Sequence, residues 1–394
     1  MEQKTFKRVE SIDLLRGLVM VIMALDHVRD YFHINAITTN DPTNLDTTTP
    51  ELFFTRFITH FCAPTFVFLA GTSAFLYGQK KSRKQLFNFL FSRGLWLIFV
   101  EIVIMNLVWW FDPTYGFINL QVIWAIGISM VILSLLIYLP WKLILSIALL
   151  MIFGHNMLDG FTLQGQDPAA VIWYILHQGG AIRTSDHLIL FMYPIIPWVG
   201  VMALGYIFGS LYAWDYDSVK RKKWLLLLGL VSIALFLLLR MPNLYGDPSP
   251  WQEQNSSIFT ILSVLNVTKY PPSLSYLLIT LGPAMLFLFL TENIRNNITS
   301  FFLVFGRVPF FYYVLHVFVI HLAALLVLLV SGDDWTKMIF TENIFTNTEL
   351  QGYGYPLIVV YLIWVIIVFL LYFPSKKYME FKLRNKDKWW LSYL

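Results

Sequence analysis

Residues 12–33 read IDLLRGLVMVIMALDHVRDYFH, a 22-residue stretch that is apolar through its middle and charged near both ends. A helix needs about 20 mostly apolar residues to cross the hydrocarbon core of a membrane, so this stretch is long enough to span one. Charged side chains are costly there unless they face a protein interior or a wet cavity. The stretch therefore predicts a membrane helix that lies inside a bundle.

The whole chain has the composition of a membrane protein. Of its 394 residues, 57% are hydrophobic and only 13% are charged, whereas about 25% are charged in typical soluble domains. The single cysteine, Cys62, allows neither an internal disulfide nor a cysteine-based metal site. These features exclude a soluble enzyme, a disordered chain and a disulfide-stabilised scaffold.

Apolar stretches of suitable length predict an all-α, polytopic integral membrane protein with about ten transmembrane helices. The predicted spans are 12–33, 51–79, 94–111, 119–139, 143–157, 188–212, 224–240, 273–291, 300–330 and 355–373. Two shorter apolar stretches, 168–178 and 256–267, predict interfacial helices. We find no internal repeat and no low-complexity linker, so residues 1–394 are expected to form a single domain.

The distribution of Lys and Arg predicts the orientation, because cytoplasmic loops of membrane proteins are enriched in both. With a cytoplasmic N-terminus, 20 Lys and Arg fall on the cytoplasmic side, and three, Arg183, Lys269 and Lys337, fall on the other. Both termini are therefore expected in the cytoplasm. The basic tail 374–394 is expected to bind the membrane surface. This explanation of the positive charge argues against nucleic-acid binding.

Ionisable residues follow one face of the first span. At 100° per residue, Arg16, His27 and Asp30 share a face and Asp26 lies at its edge. Arg16 and His27 are then about 16 Å apart along the helix axis. The alternative is that the charged residues near either end are solvated and only cap the helix or form ion pairs.

Two other predicted spans also carry histidines. Arg56 and His60 are four residues apart on one face of the second span, where they could also be polar residues at the wet end of a packing face. In the ninth span, His316 and His321 point about 140° apart, so at most one is expected to share a cavity with His27. No H-x-x-x-H or H-E-x-x-H pair occurs, so no metal is expected.

The first span also carries a familiar motif. The run Arg8-x-x-Ser11-Ile12-Asp13-x-x-Arg16-Gly17, with His27 ten residues after the glycine, resembles the opening helix of the transmembrane acyltransferases. The resemblance is greatest to the catalytic domain of heparan-alpha-glucosaminide N-acetyltransferase and its bacterial relatives. Further segments agree in order: APTFVFLAGTS (63–73), QVIWAIG (121–127), KYPPS (269–273) and GRVP (306–309) followed by His316.

The resemblance implies an acyl-CoA-dependent acyltransferase in the bacterial inner (plasma) membrane. Acyl-CoA, with acetyl-CoA as the leading candidate, would be the cytosolic co-substrate. The acceptor would be an extracytoplasmic glycan or amino sugar that offers an amine or a hydroxyl. The implied partners are acyl-CoA, this acceptor and membrane lipids, and a homodimer is left open.

The resemblance also implies roles for individual residues. Arg16, Arg93 and Arg307 would bind the CoA phosphates. His27 would be the general base, with Asp26 or Asp30 stabilising its imidazolium. Three residues could polarise the thioester oxygen: Arg56, His60 and His316. Lys269 joins the predicted binding residues, and His33, the last residue of the first span, is the alternative histidine.

Two other functions fit the same features. A proton-coupled secondary transporter of a small solute would also need many spans, intramembrane His and Asp residues and Pro-broken helices such as the one predicted around Pro194 and Pro197. Such transporters commonly contain two related halves, which we do not find in this sequence. A subunit that only binds acyl-CoA or a lipid is the other alternative.

Overall fold

The protein is mainly helical, as expected for an all-α membrane protein. The computed structural model describes residues 9–34, 41–342 and 349–392, so Arg8 of the opening motif lies outside the described residues. The α-helices are α1 Glu10–Phe32, α2 Pro50–Thr59, α3 Cys62–Gly78, α4 Arg83–Phe99, α5 Asn106–Trp110, α6 Val122–Leu136, α7 Trp141–Gly154, α8 Pro168–Trp173, α9 Ile195–Phe208, α10 Ser218–Arg240, α11 Ser257–Leu265, α12 Leu274–Thr291, α13 Asn297–Arg307, α14 Pro309–Ser331 and α15 Leu357–Arg384.

Within the described residues, eight helical stretches are long and apolar enough to cross a membrane. They are Pro50–Gly78, Arg83–Trp110, Trp141–Leu158, Ile195–Tyr212, Ser218–Arg240, Leu274–Thr291, Pro309–Ser331 and Leu357–Arg384. Helix α6 is apolar but shorter, and α1 carries too many charges to meet the same criterion. The number of ten spans, the cytoplasmic termini and the single domain stay predictions.

Helix α1 lies at the centre of the bundle. It packs against α2, α3, α13, α14 and α15, and 18 of its 23 residues are buried. The buried set includes three charged residues, Asp13, Asp26 and Arg29. The helix therefore belongs to the interior, as its charges predict.

The predicted second span is broken into α2 and α3. Pro64 lies in the first turn of α3 and has no N–H to donate to the carbonyl of His60, four residues earlier. The phenol of Tyr276 donates to that free carbonyl at 2.9 Å instead. Pro64 thus interrupts the helix, and Tyr276 on α12 supplies the hydrogen bond that the His60 carbonyl would otherwise lack.

The predicted ninth span is also two helices, α13 and α14, which meet at Val308. Val308 has φ −133° and ψ 49°, outside the helical region. Pro309 follows it, and a residue that precedes proline is driven out of the helical conformation by the ring. Arg307 and His316 therefore lie on different helices rather than on one.

A small three-stranded sheet corrects two predicted span boundaries. Strand β1 (Phe117–Leu120) pairs in parallel with β3 (Leu188–Phe191), and β2 (Gly180–Arg183) pairs with β3 in antiparallel. The helices start only after these strands, at Val122 and Ile195. The apolar pattern could not separate a short buried strand from the start of a helix.

The two short stretches predicted to be interfacial are helical, and their position at the membrane interface stays a prediction. Helix α8 continues through a π-helical turn, Tyr174–Gln178, and α11 covers most of the second stretch. Asp167 caps α8 by accepting from the backbone N–H of Ala169 and Ala170, which satisfies donors that a helix start leaves open.

Two glycines allow α1 and α13 to touch. A Cβ on Gly17 would lie 1.9 Å from the carbonyl oxygen of Phe302, and a Cβ on Gly306 would lie 1.8 Å from that of Asp13. Neither position tolerates a side chain at this separation. The Arg16-Gly17 and Gly306-Arg307 pairs are therefore the two halves of one helix crossing, which brings both arginines to the same end of the bundle.

Candidate active site

A cavity of about 850 Å³ lies at the C-terminal end of α1, beside Asp26 and Asp30. Its walls come from α1, α2, the residues that precede α6, and the loop before α12. Five predicted site residues line it: Asp26, His27, Asp30, Arg56 and Lys269. We call this space the outer cavity.

His27 is hydrogen-bonded to a second histidine. Its Nδ1 lies 2.7 Å from Nε2 of His316 on α14, and the two rings are stacked with 4.9 Å between their centroids. His27 lines the outer cavity, whereas His316 is fully buried. The pair therefore has one member toward the cavity and one behind it.

The hydrogen bonds assign the protons of this histidine pair. Nδ1 of His316 lies 2.8 Å from the carbonyl oxygen of Tyr312, so it carries the proton and donates to that oxygen. Nε2 of neutral His316 is then an acceptor, and His27 must donate to it from Nδ1. This leaves Nε2 of His27 with a lone pair, which is the form that a general base requires.

The two predicted carboxylates contact arginines. Asp26 forms an ion pair with Arg29, with 2.9 Å between Oδ1 and Nη2, and accepts a hydrogen bond from Arg56. Asp30 accepts a hydrogen bond from Arg29. Local spacing places Asp30 on the same face of α1 as His27, but the structure pairs Asp30 with Arg29 because an ionised donor makes the stronger bond to a carboxylate. The carboxylates therefore hold the arginines at the cavity.

A second cavity, of about 380 Å³, lies at the opposite end of α1. The three arginines predicted to bind phosphate, Arg16, Arg93 and Arg307, all line it, as does Lys382 near the end of α15. We call this space the inner cavity. It gathers four cations in a small volume, which suits a polyanionic ligand.

The arginines of the inner cavity differ in how far their donors are engaged. The guanidinium of Arg16 donates to Ser73 at 2.9 Å, to Asp13 at 3.0 Å and to the carbonyl of Gly306 at 3.3 Å. Nη2 of Arg307 lies 3.7 Å from Oε1 of Glu10, and Nε of Arg307 has no hydrogen-bond partner among the described residues. Arg307 is thus better placed than Arg16 to offer a new hydrogen bond.

The two cavities adjoin. Four residues line both of them: Met23, Phe66, Val122 and Tyr313. Met23 is four residues before His27, which is about one helical turn. An elongated ligand could therefore reach from the inner cations to His27 past an apolar boundary.

Two further predicted histidines lie elsewhere. His60 is buried with its ring 5.5 Å from that of Tyr276, and the described lining of either cavity does not include it. His321 contacts the backbone carbonyls of Val108 and Met338, so it ties α14 to neighbouring segments. As expected, His316 and His321 do not share one site.

Several outer-cavity residues carried no sequence signal. Trp109, Asn119 and Tyr193 line the cavity, and the ring of Trp109 contacts that of His27 edge-on at 4.7 Å. Tyr270, by contrast, belongs to the KYPPS segment noted in the sequence, and it lines the cavity beside Lys269 and Arg56. Burial raises the pKa of the Tyr270 phenol, but the positive charges of Lys269 and Arg56 outweigh this effect and bring that pKa below its ordinary value.

Comparison with known proteins identifies the family of the chain. The family model described as heparan-alpha-glucosaminide N-acetyltransferase, catalytic, matches residues 8–241. That range is more than half of the chain and contains His27, Arg56 and Arg93. None of the curated proteins gives a significant match. The chain belongs to the family of the heparan-alpha-glucosaminide N-acetyltransferase catalytic domain, and it is a membrane acetyltransferase of that type.

Proposed function

We propose that the chain transfers an acyl group, with acetyl as the first choice, from acyl-CoA in the inner cavity to an acceptor in the outer cavity. The observation that carries this proposal is the position of His27. It lines the outer cavity about one helical turn from Met23, which lines both cavities. A thioester that extends from the inner cavity would thus meet a histidine at the junction.

The inner cavity suits the nucleotide part of acyl-CoA. The phosphates of acyl-CoA carry several negative charges, and the inner cavity is lined by Arg93, Arg307 and Lys382. Arginine binds phosphate with paired, charge-assisted hydrogen bonds. The Nε of Arg307 supplies a donor, whereas Arg16 contributes its charge with its donors already engaged.

The reaction needs a base that takes a proton from the sugar acceptor and a source of the proton for the CoA thiolate that leaves. The acceptor's amine or hydroxyl attacks the thioester carbonyl while Nε2 of His27 takes its proton. The carbon–sulfur bond then breaks, the acyl group stays on the acceptor, and the thiolate of CoA takes the proton back from the imidazolium. His316 accepts the Nδ1–H bond of His27 and so stabilises the positive ring.

The negative charge that develops on the thioester oxygen needs a nearby cation. Of the three residues predicted to polarise this oxygen, Arg56 lines the outer cavity, whereas His60 and His316 are buried away from it. Asp26 holds the guanidinium of Arg56 in place. Lys269 lines the same cavity and adds a second positive charge.

The outer cavity also suits a polar acceptor. Its volume lies within the usual range for small-molecule sites, about 300–1,000 Å³. Carboxylates, arginines and phenols line it, which are the groups that bind sugar hydroxyls and amines. With both termini in the cytoplasm of a bacterial inner membrane, the acceptor would be an extracytoplasmic glycan or amino sugar.

An acceptor-dependent assay tests the proposal. The purified protein in detergent is given acetyl-CoA and a panel of amino sugars and sugar alcohols, and free thiol and acylated product are both quantified. We expect thiol and product to appear in equal amounts and only with an acceptor. Thioester that stays intact with every acceptor, together with proton-driven solute uptake in vesicles, would support the transporter instead.

A further inference from the structure

We propose that His155, Asp159 and His177 bind a zinc-class divalent cation outside both cavities. One ligand atom from each side chain lies within 4.8 Å of the other two. The described residues that line the outer and inner cavities do not include any of the three. The site is therefore separate from the proposed acyl transfer and does not depend on it.

The sequence did not reveal this cluster because its members come from two segments. His155 is the first residue of the 3-10 turn that follows α7, His155–Leu158, and Asp159 comes directly after it. Their spacing is four residues, but the second member is a carboxylate, so a search for paired histidines misses it. His177 comes from the π-helical turn that follows α8.

The chemistry of the cluster fits zinc. Two imidazoles and one carboxylate are a recurrent ligand set for Zn²⁺, with a fourth position left for water. Ligands at about 2.0–2.2 Å in a tetrahedral site lie roughly 3.3 Å apart. Since the three side chains are already within 4.8 Å of one another, small side-chain rotations are enough to reach that geometry.

His155 is the observation that points to a ligand. It is 1% exposed, and neither of its ring nitrogens has a hydrogen-bond partner among the described residues. Buried polar groups are normally paired, because an unpaired one loses its hydration without compensation. A bound cation would take up one of these nitrogen lone pairs.

His177 and Asp159 are already oriented toward each other. Nε2 of His177 lies 3.0 Å from Oδ1 of Asp159, and Nδ1 of His177 has no partner among the described residues. When a cation replaces the proton between them, the neutral ring can carry its proton on Nδ1. A simple hydrogen bond explains this pair, but it does not explain the buried His155 beside it.

A second layer of contacts supports the carboxylate. The side-chain amide of Asn156 donates to Oδ2 of Asp159 at 2.8 Å, and its oxygen accepts from the backbone N–H of Leu274 at 2.9 Å. Outer contacts of this kind hold metal ligands in position. They also connect the cluster to the start of α12.

The cation would connect the end of α7 to the segment that carries β2 and β3. Strand β2 starts at Gly180, two residues after the π-helical turn of His177 ends, and β3 ends at Phe191, just before Met192 and Tyr193 of the outer cavity wall. A cation bound here would therefore hold this wall in position from behind.

The test measures metal binding in the full chain without a polyhistidine tag. The protein purified in detergent is stripped with EDTA, dialysed against zinc chloride with a competing chelator, and analysed by mass spectrometry for metals. We expect about one zinc per chain. His155→Ala and His177→Ala should weaken zinc binding by more than about 100-fold, since even outer contacts of a metal ligand are worth 10–100-fold.

His187→Ala is the matched control, because His187 lies near the same sheet but donates from Nδ1 to the Tyr115 carbonyl. It should bind zinc like the unmodified protein. If the histidine variants elute as aggregates, the isosteric Asp159→Asn replaces them, and the visible absorption of bound Co²⁺ gives the readout. No retained zinc, or equal zinc in the cluster variants and in His187→Ala, would overturn the proposal.

Discussion

His27 and His316 face each other across the contact of α1 and α14, with 2.7 Å between Nδ1 of the first and Nε2 of the second. Because His316 donates its own Nδ1 proton to the Tyr312 carbonyl, its orientation is fixed by the backbone of its own helix. The pair resembles a base and its orienting partner, with a histidine in the place that a carboxylate often takes. The hydrogen bond to this partner leaves the lone pair of neutral His27 on Nε2.

The first prediction follows from this pairing. His316→Ala removes the acceptor of the His27 proton, so the imidazole loses its orientation and the support of its charged form. We expect acyl transfer to fall by roughly 10–100-fold, less than for loss of the base itself. His316→Gln retains an acceptor oxygen and should recover part of the rate. Equal rates for both variants and the unmodified protein would show that His316 only fills space.

The second prediction concerns the arginines of the inner cavity. Arg307→Ala should weaken acetyl-CoA binding by about 1.5–3 kcal/mol, the value of a hydrogen bond to a charged group. Calorimetry on the detergent-purified protein measures it. S-acetylpantetheine, which lacks the phosphates, should bind both proteins equally. Arg83→Ala is the control, since Arg83 donates to the Tyr138 carbonyl and does not line the cavity. Unchanged acetyl-CoA affinity in Arg307→Ala would place the phosphates elsewhere.

The third prediction concerns the crossing of α1 and α13. Gly306→Ala places a methyl group 1.8 Å from the Asp13 carbonyl, so the helices must separate. We expect a loss of stability of at least about 1–3 kcal/mol, as for other overpacked cores, measured as a lower melting temperature in detergent. Gly160→Ala, where nothing lies within 4 Å of the new Cβ, should melt normally. Equal melting of both variants would contradict the described crossing.

The fourth prediction concerns the buried ion pairs of Asp26. Asp26→Asn removes the charge that faces Arg29 and Arg56, and breaking a buried pair in this way costs about 3–5 kcal/mol. Asp30→Asn should cost much less, because the Asp30 side chain is 39% exposed. Thermal melting of the two variants side by side gives the comparison. A smaller loss in Asp26→Asn than in Asp30→Asn would reverse our reading of the network.

Helical periodicity was sufficient to predict which residues share a face when they lie on a single helix. Arg16 and His27 share a face of α1, and the structure places the first at the inner cavity and the second at the outer one. The resemblance put His316 in the same site as His27, but it did not predict the hydrogen bond between them, since His316 is 289 residues away and only the packing of α14 on α1 brings it there. Local spacing can suggest a neighbour, as it did for Asp30, but it cannot weigh that neighbour against a competing arginine.

The ends of several helices and strands could be located only in the three-dimensional structure, for a related reason. Pro309 was visible in the sequence, yet the apolar run around it predicted one long span, because hydropathy does not register the missing N–H. The residues of β3 are as apolar as a helix start, and only their pairing with β1 identifies them as a strand. Likewise, His177 joins His155 through the path of the chain and not through a motif.

The central claim is that His27 is the general base of acyl transfer. The most direct measurement is the single-turnover rate of acceptor acylation by His27→Ala, with acetyl-CoA affinity measured on the same preparation. We predict an unchanged affinity and a rate lower by roughly 10²–10⁴-fold, the usual contribution of a general base. A near-normal rate in His27→Ala, together with loss of transfer in His33→Ala or His60→Ala, would contradict the account.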